Sequence, residues 1–245
     1  MNGRKKLGII GGMGSRAGAI FLNKIIDYSP ALTDQDFIEI IFHNNAAIPD
    51  RTKAIVYNGS SPLAAIRKSL ELFNQNSVEV VAMACMTAYY YYDEIIEYTD
   101  SKVVNPFHLL AGHIREKCTD VRRVGILATT GAINSGIYHK WLLDCNREPV
   151  TLGPGDQEAL FMRAVYMKNG FKSAVISGEA AELMYSAVKK LSKMDVDLII
   201  GGCTEMSIGI DPKTVGIPYI DMLDLLARKT VEYCYIPESL ERRLV

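Results

Sequence analysis

VEVVAMAC, residues Val78–Cys85, is an apolar run that ends in a cysteine, and VDLIIGGC, residues Val196–Cys203, repeats the pattern 118 positions later. A short apolar run of this kind, bounded by polar or glycine residues, is typical of a buried strand. The segment Lys6–Gly11 also matches Arg123–Ala128 at an offset of 117. Landmarks that keep one register through half of the chain indicate an internal repeat. We therefore expect two copies of one structural unit, each carrying a cysteine after a strand.

Strand-like runs alternate with helical patterns along the chain. The apolar runs are Leu7–Ile10, Phe37–Phe42, Val78–Ala84, Val124–Ala128 and Val196–Ile200. Between them, Ala64–Phe73 and Ala180–Leu191 carry apolar residues three and four positions apart. This alternation predicts the α/β class, with mainly parallel sheets flanked by helices. Combined with the repeat, it predicts two pseudo-symmetric lobes with the active site in the cleft between them.

The repeat also suggests where the lobes begin and end. We expect an N-terminal α/β lobe over residues 1–105 and a second α/β lobe over residues 106–210. A tail, residues 211–245, is expected to pack back on the first lobe, because Leu223–Val231 has a helical pattern.

Composition excludes several classes of protein. The 245 residues include 27 basic and 28 acidic side chains, a balance that predicts no binding to nucleic acid or to an anionic membrane surface. No apolar run approaches the roughly 18 residues of a membrane span, and the N-terminus lacks the apolar core of a signal peptide, so we expect a cytoplasmic protein. Five cysteines without close spacing favour reduced thiols over a disulfide framework, and no ligand pattern predicts a metal site.

The candidate functional residues follow the predicted strands. Ligands of parallel sheets bind outside the carboxyl ends of the strands. Cys85, Cys203, Gly11–Gly14 and Thr129–Gly131 all lie just past such ends, so they should converge on one cleft. A cysteine between a strand end and a helix start is well placed to act as a thiolate base or nucleophile.

Two basic residues hold matching places in the repeat. Arg51 and Lys168 are 117 positions apart, in the register of the two cysteines, and Arg51 is suited to hold a carboxylate with two parallel hydrogen bonds. The glycine segment Gly11–Gly14 fits the loose dinucleotide fingerprint, but the acidic residue which that fingerprint requires after the next strand is missing. We therefore expect its backbone N–H groups to approach a small anion at a helix start.

Together these motifs resemble the cofactor-independent aspartate/glutamate racemases, the aspartate racemase branch in particular. The matching segments are Leu7–Gly14, Ile48–Thr52, Cys85–Ala88, Tyr166–Gly170 and Gly202–Glu205. The resemblance implies a racemase, an isomerase that needs neither pyridoxal phosphate nor a metal. In it, Cys85 and Cys203 act as opposed acid and base on the α-carbon of an amino acid.

The resemblance also implies the substrate contacts and the assembly. The substrate-binding residues are expected to be Met13, Arg51, Met86, Thr87, Thr130, Lys168 and Thr204. Aspartate or glutamate is the expected substrate, and a homodimer is the expected assembly.

Several positions depart from the family pattern. Met86 stands where the family usually has an asparagine that donates to the substrate carboxylate, and Tyr89 stands where it has a histidine. A substrate with a side chain other than a carboxylate is therefore compatible with this sequence. Two other readings stay open: an enzyme resembling maleate isomerases or malonate decarboxylases, and a non-catalytic paralogue that binds a small acid.

Overall fold

A computed structural model describes residues 4–235 of the chain. The strands of the first sheet are β1 (Leu7–Gly11), β2 (Ile40–Asn44), β3 (Val80–Met83) and β4 (Lys102–Val103). Those of the second are β5 (Arg123–Leu127), β6 (Glu148–Thr151), β7 (Leu198–Gly201) and β8 (Tyr219–Asp221). All neighbours are parallel, and the orders β2-β1-β3-β4 and β6-β5-β7-β8 are equivalent. The predicted fold of two pseudo-symmetric α/β lobes is confirmed.

Helices connect the strands and cover the sheets. In the first half they are α1 (Ser15–Tyr28), α2 (Arg51–Val56), α3 (Leu63–Gln75), α4 (Tyr92–Ile96) and α5 (Pro106–Lys117). In the second half they are α6 (Thr130–Asn134), α7 (Ile137–Asp144), α8 (Pro154–Asp156), α9 (Arg163–Tyr166), α10 (Gly178–Leu191), α11 (Met206–Gly209) and α12 (Met222–Tyr235). Shorter helical segments are the 3₁₀ helices Asp34–Asp36, Met86–Tyr91 and Pro212–Thr214 and the π-helical segment Gln157–Met162 between α8 and α9. Over the part of the chain described, none of these helices is long and apolar enough to cross a membrane.

Glycines at equivalent places in the two central strands let a helix approach each sheet closely. A Cβ on Gly8 of β1 would lie 2.6 Å from the ring of Phe73, and a Cβ on Gly125 of β5 would lie 2.9 Å from Leu191. Phe73 belongs to α3 and Leu191 to α10, and both side chains are fully buried. The two lobes thus use the same device to seat a helix on a sheet.

The sequence did not predict three of the short strands, and one predicted strand begins further along the chain than expected. β4, β6 and β8 have two to four residues and none of them is buried throughout, so they lack a continuous apolar run. β2 starts at Ile40, not at Phe37, because the capped 3₁₀ turn Asp34–Asp36 precedes it.

The end of the second lobe differs from the sequence prediction. β8 pairs with β7 in the second sheet, so this lobe extends beyond residue 210. The following helix, α12, lies against the first lobe, where Asp224 accepts a hydrogen bond of 2.9 Å from Lys24 of α1. The backbone N–H of Lys5 also donates to the carbonyl of Cys234 at 2.9 Å. Of the tail placed at 211–245, residues 236–245 lie outside the described residues, as do residues 1–3 of the first lobe.

Candidate active site

A small cavity lies between the lobes at the carboxyl ends of the central strands. Its volume is about 10 Å³, which is close to the minimum that holds one water molecule. The lining residues are Met13, Arg51, Thr52, Cys85, Met86, Thr87, Thr129, Tyr166, Lys172, Cys203, Thr204 and Glu205. Each lobe contributes one cysteine, so the described form closes over two thiols that are far apart in sequence.

The first cysteine has a buried guanidinium as its neighbour. Cys85 follows β3 by two residues and precedes the 3₁₀ helix Met86–Tyr91. Arg51 begins α2 and donates to the carbonyls of Met13 at 2.8 Å and Pro49 at 2.9 Å. Burial lowers the pKa of Arg51, but its interactions with the neighbouring Cys85 and Asp50 more than offset this, so the pKa lies above its usual value. A positive charge is therefore fixed beside the first thiol.

The second cysteine has a buried carboxylate as its neighbour. Cys203 follows β7 and its Sγ donates to Oε2 of Glu205 over 2.8 Å. Burial raises the pKa of the Cys203 thiol, and the negative charge of Glu205 raises it further. Cys203 is therefore protonated at neutral pH. The two thiols differ in environment although they hold equivalent places in the repeat.

The carboxylate of Glu205 is held from two further sides. Nζ of Lys172 lies 3.6 Å from Oε1 of Glu205. Burial raises the pKa of Glu205, but Lys172 and the Cys203 thiol bring it below its usual value, so the carboxylate is ionised. Burial lowers the pKa of Lys172, but Glu205 and the two neighbouring cysteines together more than compensate, so the ammonium is charged as well. On the other side Gly14, with a φ of +133°, leaves space that a Cβ would fill 2.7 Å from Oε1 of Glu205.

Hydrogen bonds across the cleft join the lobes around the cavity. The hydroxyls of Thr87 and Thr129 are 2.9 Å apart. Nζ of Lys172 also donates to the carbonyl of Met13 at 3.4 Å. At the outer rim, the hydroxyl of Tyr166 donates to Oδ2 of Asp50 over 2.9 Å.

Most of the residues expected at the site lie at the cavity. Those that line it are Cys85, Cys203, Met13, Arg51, Met86, Thr87 and Thr204. Thr130 and Lys168 lie outside it. The hydroxyl of Thr130 donates to Glu158 at 2.5 Å, and the preceding Thr129 lines the cavity in its place. Lys168 is exposed after the end of α9, and the turn that follows brings Lys172 into the cleft.

Thr129 lines the cavity, as expected for the strand end Thr129–Gly131, but four other lining residues were not named as candidates: Thr52, Tyr166, Lys172 and Glu205. Three of these four belong to segments already singled out, since Thr52 ends the arginine motif, Tyr166 begins the lysine motif and Glu205 follows Cys203–Thr204. Lys172 carries no sequence signal, because its place depends on the path of the turn after α9.

Two α/β lobes with parallel sheets meet at a cavity to which each lobe contributes one cysteine, an arrangement typical of a two-lobed α/β protein with a cleft between its halves. Residues 10–230 match the family model described as Asp/Glu/Hydantoin racemase, and the chain belongs to this family. Racemases are isomerases, so the expected enzyme class is confirmed at this level.

Individual relatives agree with the family and extend over most of the chain. The broad-specificity amino-acid racemase RacX of Bacillus subtilis is 25% identical, over 92% of this chain and 96% of that protein. The aspartate racemase of Picrophilus torridus has a similar structure, with a TM-score of 0.80 and 28% identity over 98% of both chains. The glutamate racemase RacE1 of Bacillus anthracis shares the fold, with a TM-score of 0.68, 17% identity and coverage of 98% of this chain and 83% of that one.

Proposed function

We propose that this protein is an amino-acid racemase in which Cys85 and Cys203 act as opposed acid and base on the α-carbon. The observation that carries the proposal is the small cavity between the lobes, which both thiols line. Their environments differ in the sense the reaction requires. Cys203 donates to Glu205 and is protonated, whereas Cys85 lies beside the Arg51 guanidinium.

In the proposed reaction, one proton is taken and another is returned on the opposite face. The Cys85 thiolate removes the α-proton and becomes a thiol, and the Cys203 thiol gives its proton to the other face of the carbanion and becomes a thiolate. The opposite enantiomer reacts by the reverse sequence, with the two roles exchanged. Each turnover therefore inverts the protonation of the pair, and no proton is gained or lost overall.

The carbanion that forms between the two steps needs donors around the substrate carboxylate. The electron pair left on the α-carbon is delocalised onto that carboxylate. Hydrogen-bond donors placed around the carboxylate therefore lower the barrier to removal of the α-proton. More than nine-tenths of the surface of Arg51 is buried, and its Nε has no hydrogen-bond partner among residues 4–235. The hydroxyls of Thr87 and Thr204 also line the cavity. We assign the substrate carboxylate to these groups.

The finer properties implied by the family resemblance extend this proposal. They are an acidic substrate, aspartate or glutamate, independence of pyridoxal phosphate and metal ions, a homodimer and a cytoplasmic location. Substrate is the least constrained of these, because Met13 and Met86 place apolar side chains at the cavity.

Exchange of the α-proton with deuterated water tests the proposed reaction directly. Single enantiomers of a panel of amino acids are incubated with the protein, and α-deuterium and the opposite enantiomer are followed by NMR and chiral chromatography. Cys85→Ser and Cys203→Ser should each abolish racemisation, whereas Cys118→Ser, at a partly buried thiol remote from the cavity, should not.

Separate incubations with malonate and maleate, beside the amino-acid panel, distinguish the other possibilities. Loss of CO₂ from a malonate or isomerisation of maleate without exchange of amino acids would favour the related cysteine enzymes. Ligand binding without any exchange would favour a non-catalytic paralogue. Full activity of Cys203→Ser would contradict the two-base mechanism.

A further inference from the structure

A buried tyrosine hydroxyl holds the strand end that carries Cys85. The hydroxyl of Tyr89 accepts a hydrogen bond of 3.0 Å from the backbone N–H of Met83, the last residue of β3 and two positions before the cysteine. β4 pairs with Val80 and Val81 and ends there, so the neighbouring strand stops before it reaches Met83. A polar backbone group buried at that place needs a partner, and the tyrosine supplies it.

A second buried tyrosine hydroxyl holds the strand end that carries Cys203. The hydroxyl of Tyr138 in α7 donates to the carbonyl of Gly202 over 2.7 Å, one position before the cysteine. Gly202 leaves room for this contact, because a Cβ there would lie 2.7 Å from the hydroxyl oxygen. Burial raises the pKa of Tyr138, and its interactions with Cys203 and Cys85 raise it further, so the phenol keeps its proton and remains a donor.

One further ring joins the two tyrosines across the lobes. Phe107 of α5 meets Tyr89 edge to face, with 6.4 Å between the ring centroids, and it meets Tyr138 in the same way with 4.9 Å. At most 2% of the surface of each of the three residues is exposed. Edge-to-face pairs of buried rings have a defined geometry and stabilise a core beyond their burial. We call Tyr89, Phe107 and Tyr138 the aromatic bridge.

The aromatic bridge lies close to both thiols without entering the cavity. None of its three residues is among those that line the cavity. Burial raises the pKa of both tyrosines, and Cys85 adds to the rise in each. A reaction with two bases needs the two sulfur atoms on opposite faces of one α-carbon, and a displacement of about 1 Å can lower a rate by about a hundredfold. The bridge can therefore act on the reaction through the placement of the strand ends.

We infer that the aromatic bridge fixes the spacing of the two thiols, with Tyr89 as the positioning residue for Cys85 and Tyr138 as the positioning residue for Cys203. The inference rests on the proposed racemase function and adds residues to it that the resemblance did not indicate. It also gives a role to Tyr89, which departs from the family pattern at a position next to the first cysteine motif.

Single tyrosine-to-phenylalanine variants test the positioning on the full-length protein. Tyr138→Phe releases the strand end of Cys203 and Tyr89→Phe releases that of Cys85, while both variants keep the ring. Each enantiomer of the amino acid that the protein racemises fastest, among aspartate, glutamate and the wider panel, is incubated separately in deuterated water. Inversion and α-deuterium in the recovered enantiomer are both measured. We expect kcat to fall about tenfold, with KM changed by less than about twofold because neither tyrosine lines the cavity.

The two variants should differ in the enantiomer that they affect. When Cys203 is displaced, the Cys85 thiolate still removes an α-proton, its thiol exchanges with the solvent, and it returns a deuteron to the same face. Deuterium then enters the recovered enantiomer without inversion. We expect the ratio of this exchange to inversion to rise about fivefold or more for one enantiomer in Tyr138→Phe and for the other in Tyr89→Phe. Phe107→Leu, which removes the ring between the tyrosines, should raise the ratio for both.

Tyr235→Phe is the matched control. The hydroxyl of Tyr235 also donates to a backbone carbonyl over 2.7 Å, that of Asp36, which precedes β2 at the opposite end of the first sheet. This variant should keep the kcat and the ratio of the unaltered protein. Circular dichroism identifies any variant that fails to fold. An unchanged ratio for both enantiomers in the folded bridge variants would overturn the positioning role, whereas an absence of exchange with every amino acid in the unaltered protein would refute the racemase function and the inference with it.

Discussion

Replacing Gly14 by alanine should disable the site more than it destabilises the fold. The added Cβ would lie 2.7 Å from Oε1 of Glu205, well inside van der Waals contact. The carboxylate is the end of a flexible side chain, but it cannot turn away freely because Cys203 and Lys172 hold its two oxygens. The substitution therefore breaks the hydrogen bond to Cys203 or separates the ion pair.

The size of the effect follows from two contributions. Gly14 has a φ of +133°, which L side chains rarely adopt, and such strain costs about 1–3 kcal/mol. A hydrogen bond to a charged group contributes about 1.5–3 kcal/mol, which corresponds to a loss of activity of about tenfold to a hundredfold if it orients the acid. The strain should lower the midpoint of thermal unfolding by several degrees, since about 1 kcal/mol shifts a domain of this size by about 2–4 °C.

Gly136→Ala is the matched control. Gly136 also has a positive φ, +72°, but a Cβ there meets no atom of the described residues within 4 Å. It should lose stability through strain alone and keep its racemase activity. Both variants are measured by thermal circular dichroism and by α-deuterium exchange. If Gly14→Ala retained activity within twofold of Gly136→Ala, the contact between Gly14 and the Glu205 carboxylate would have no role in catalysis.

Three further substitutions test the charges and contacts of the cavity. Glu205→Gln removes the negative charge that raises the pKa of Cys203. Cys203 can act as an acid only below its pKa, so the alkaline limb of the kcat/KM profile should move to lower pH for the enantiomer that Cys203 protonates. An unchanged profile would refute the pairing of Cys203 with Glu205. Lys172→Met leaves the buried Glu205 carboxylate without its cation and should lower the free energy of unfolding by about 3–5 kcal/mol in urea titrations. The control Lys168→Met, at an exposed site, should lower it by less than about 0.5 kcal/mol. Equal losses would argue against the ion pair between Lys172 and Glu205. Thr87→Val removes the hydrogen bond between the hydroxyls of Thr87 and Thr129, which joins the two lobes. It leaves the buried Thr129 hydroxyl without that partner, so the free energy of unfolding should fall by about 1–3 kcal/mol in the same titration. No loss would show that the contact does not stabilise the fold.

The unlike surroundings of the two thiols bear on the direction of the reaction. The repeat makes Cys85 and Cys203 equivalent in position, but one faces a guanidinium and the other a carboxylate. In the proposed two-base mechanism, a resting protein with Cys203 protonated is ready for only one of the two enantiomers. The reverse reaction begins from the opposite protonation state, in which a Cys203 thiolate faces the negative charge of Glu205. We therefore expect different pH profiles for the two directions.

The sequence by itself determined the architecture and the strand ends at which the cavity lies. Apolar runs such as Val78–Cys85 are local signals, and the carboxyl ends of parallel strands meet at one edge whatever the details of packing. The repeat then placed Cys85 and Cys203 on facing lobes and gave Arg51 and Lys168 matching places in them. These inferences needed only periodicity and topology.

Only the tertiary structure decided which neighbours complete the site. Lys172, not Lys168, reaches the cavity because the turn after α9 folds back on that helix, where the backbone N–H of Lys172 donates to the carbonyl of Val165; its ammonium then reaches the carbonyl of Met13 in the other lobe. The pairing of Cys203 with Glu205 likewise depends on the space left by Gly14, nearly two hundred positions away in the sequence. Contacts between residues so distant leave no mark on local periodicity, so the electrostatics of the thiols and the closure of the cavity come from packing between the lobes.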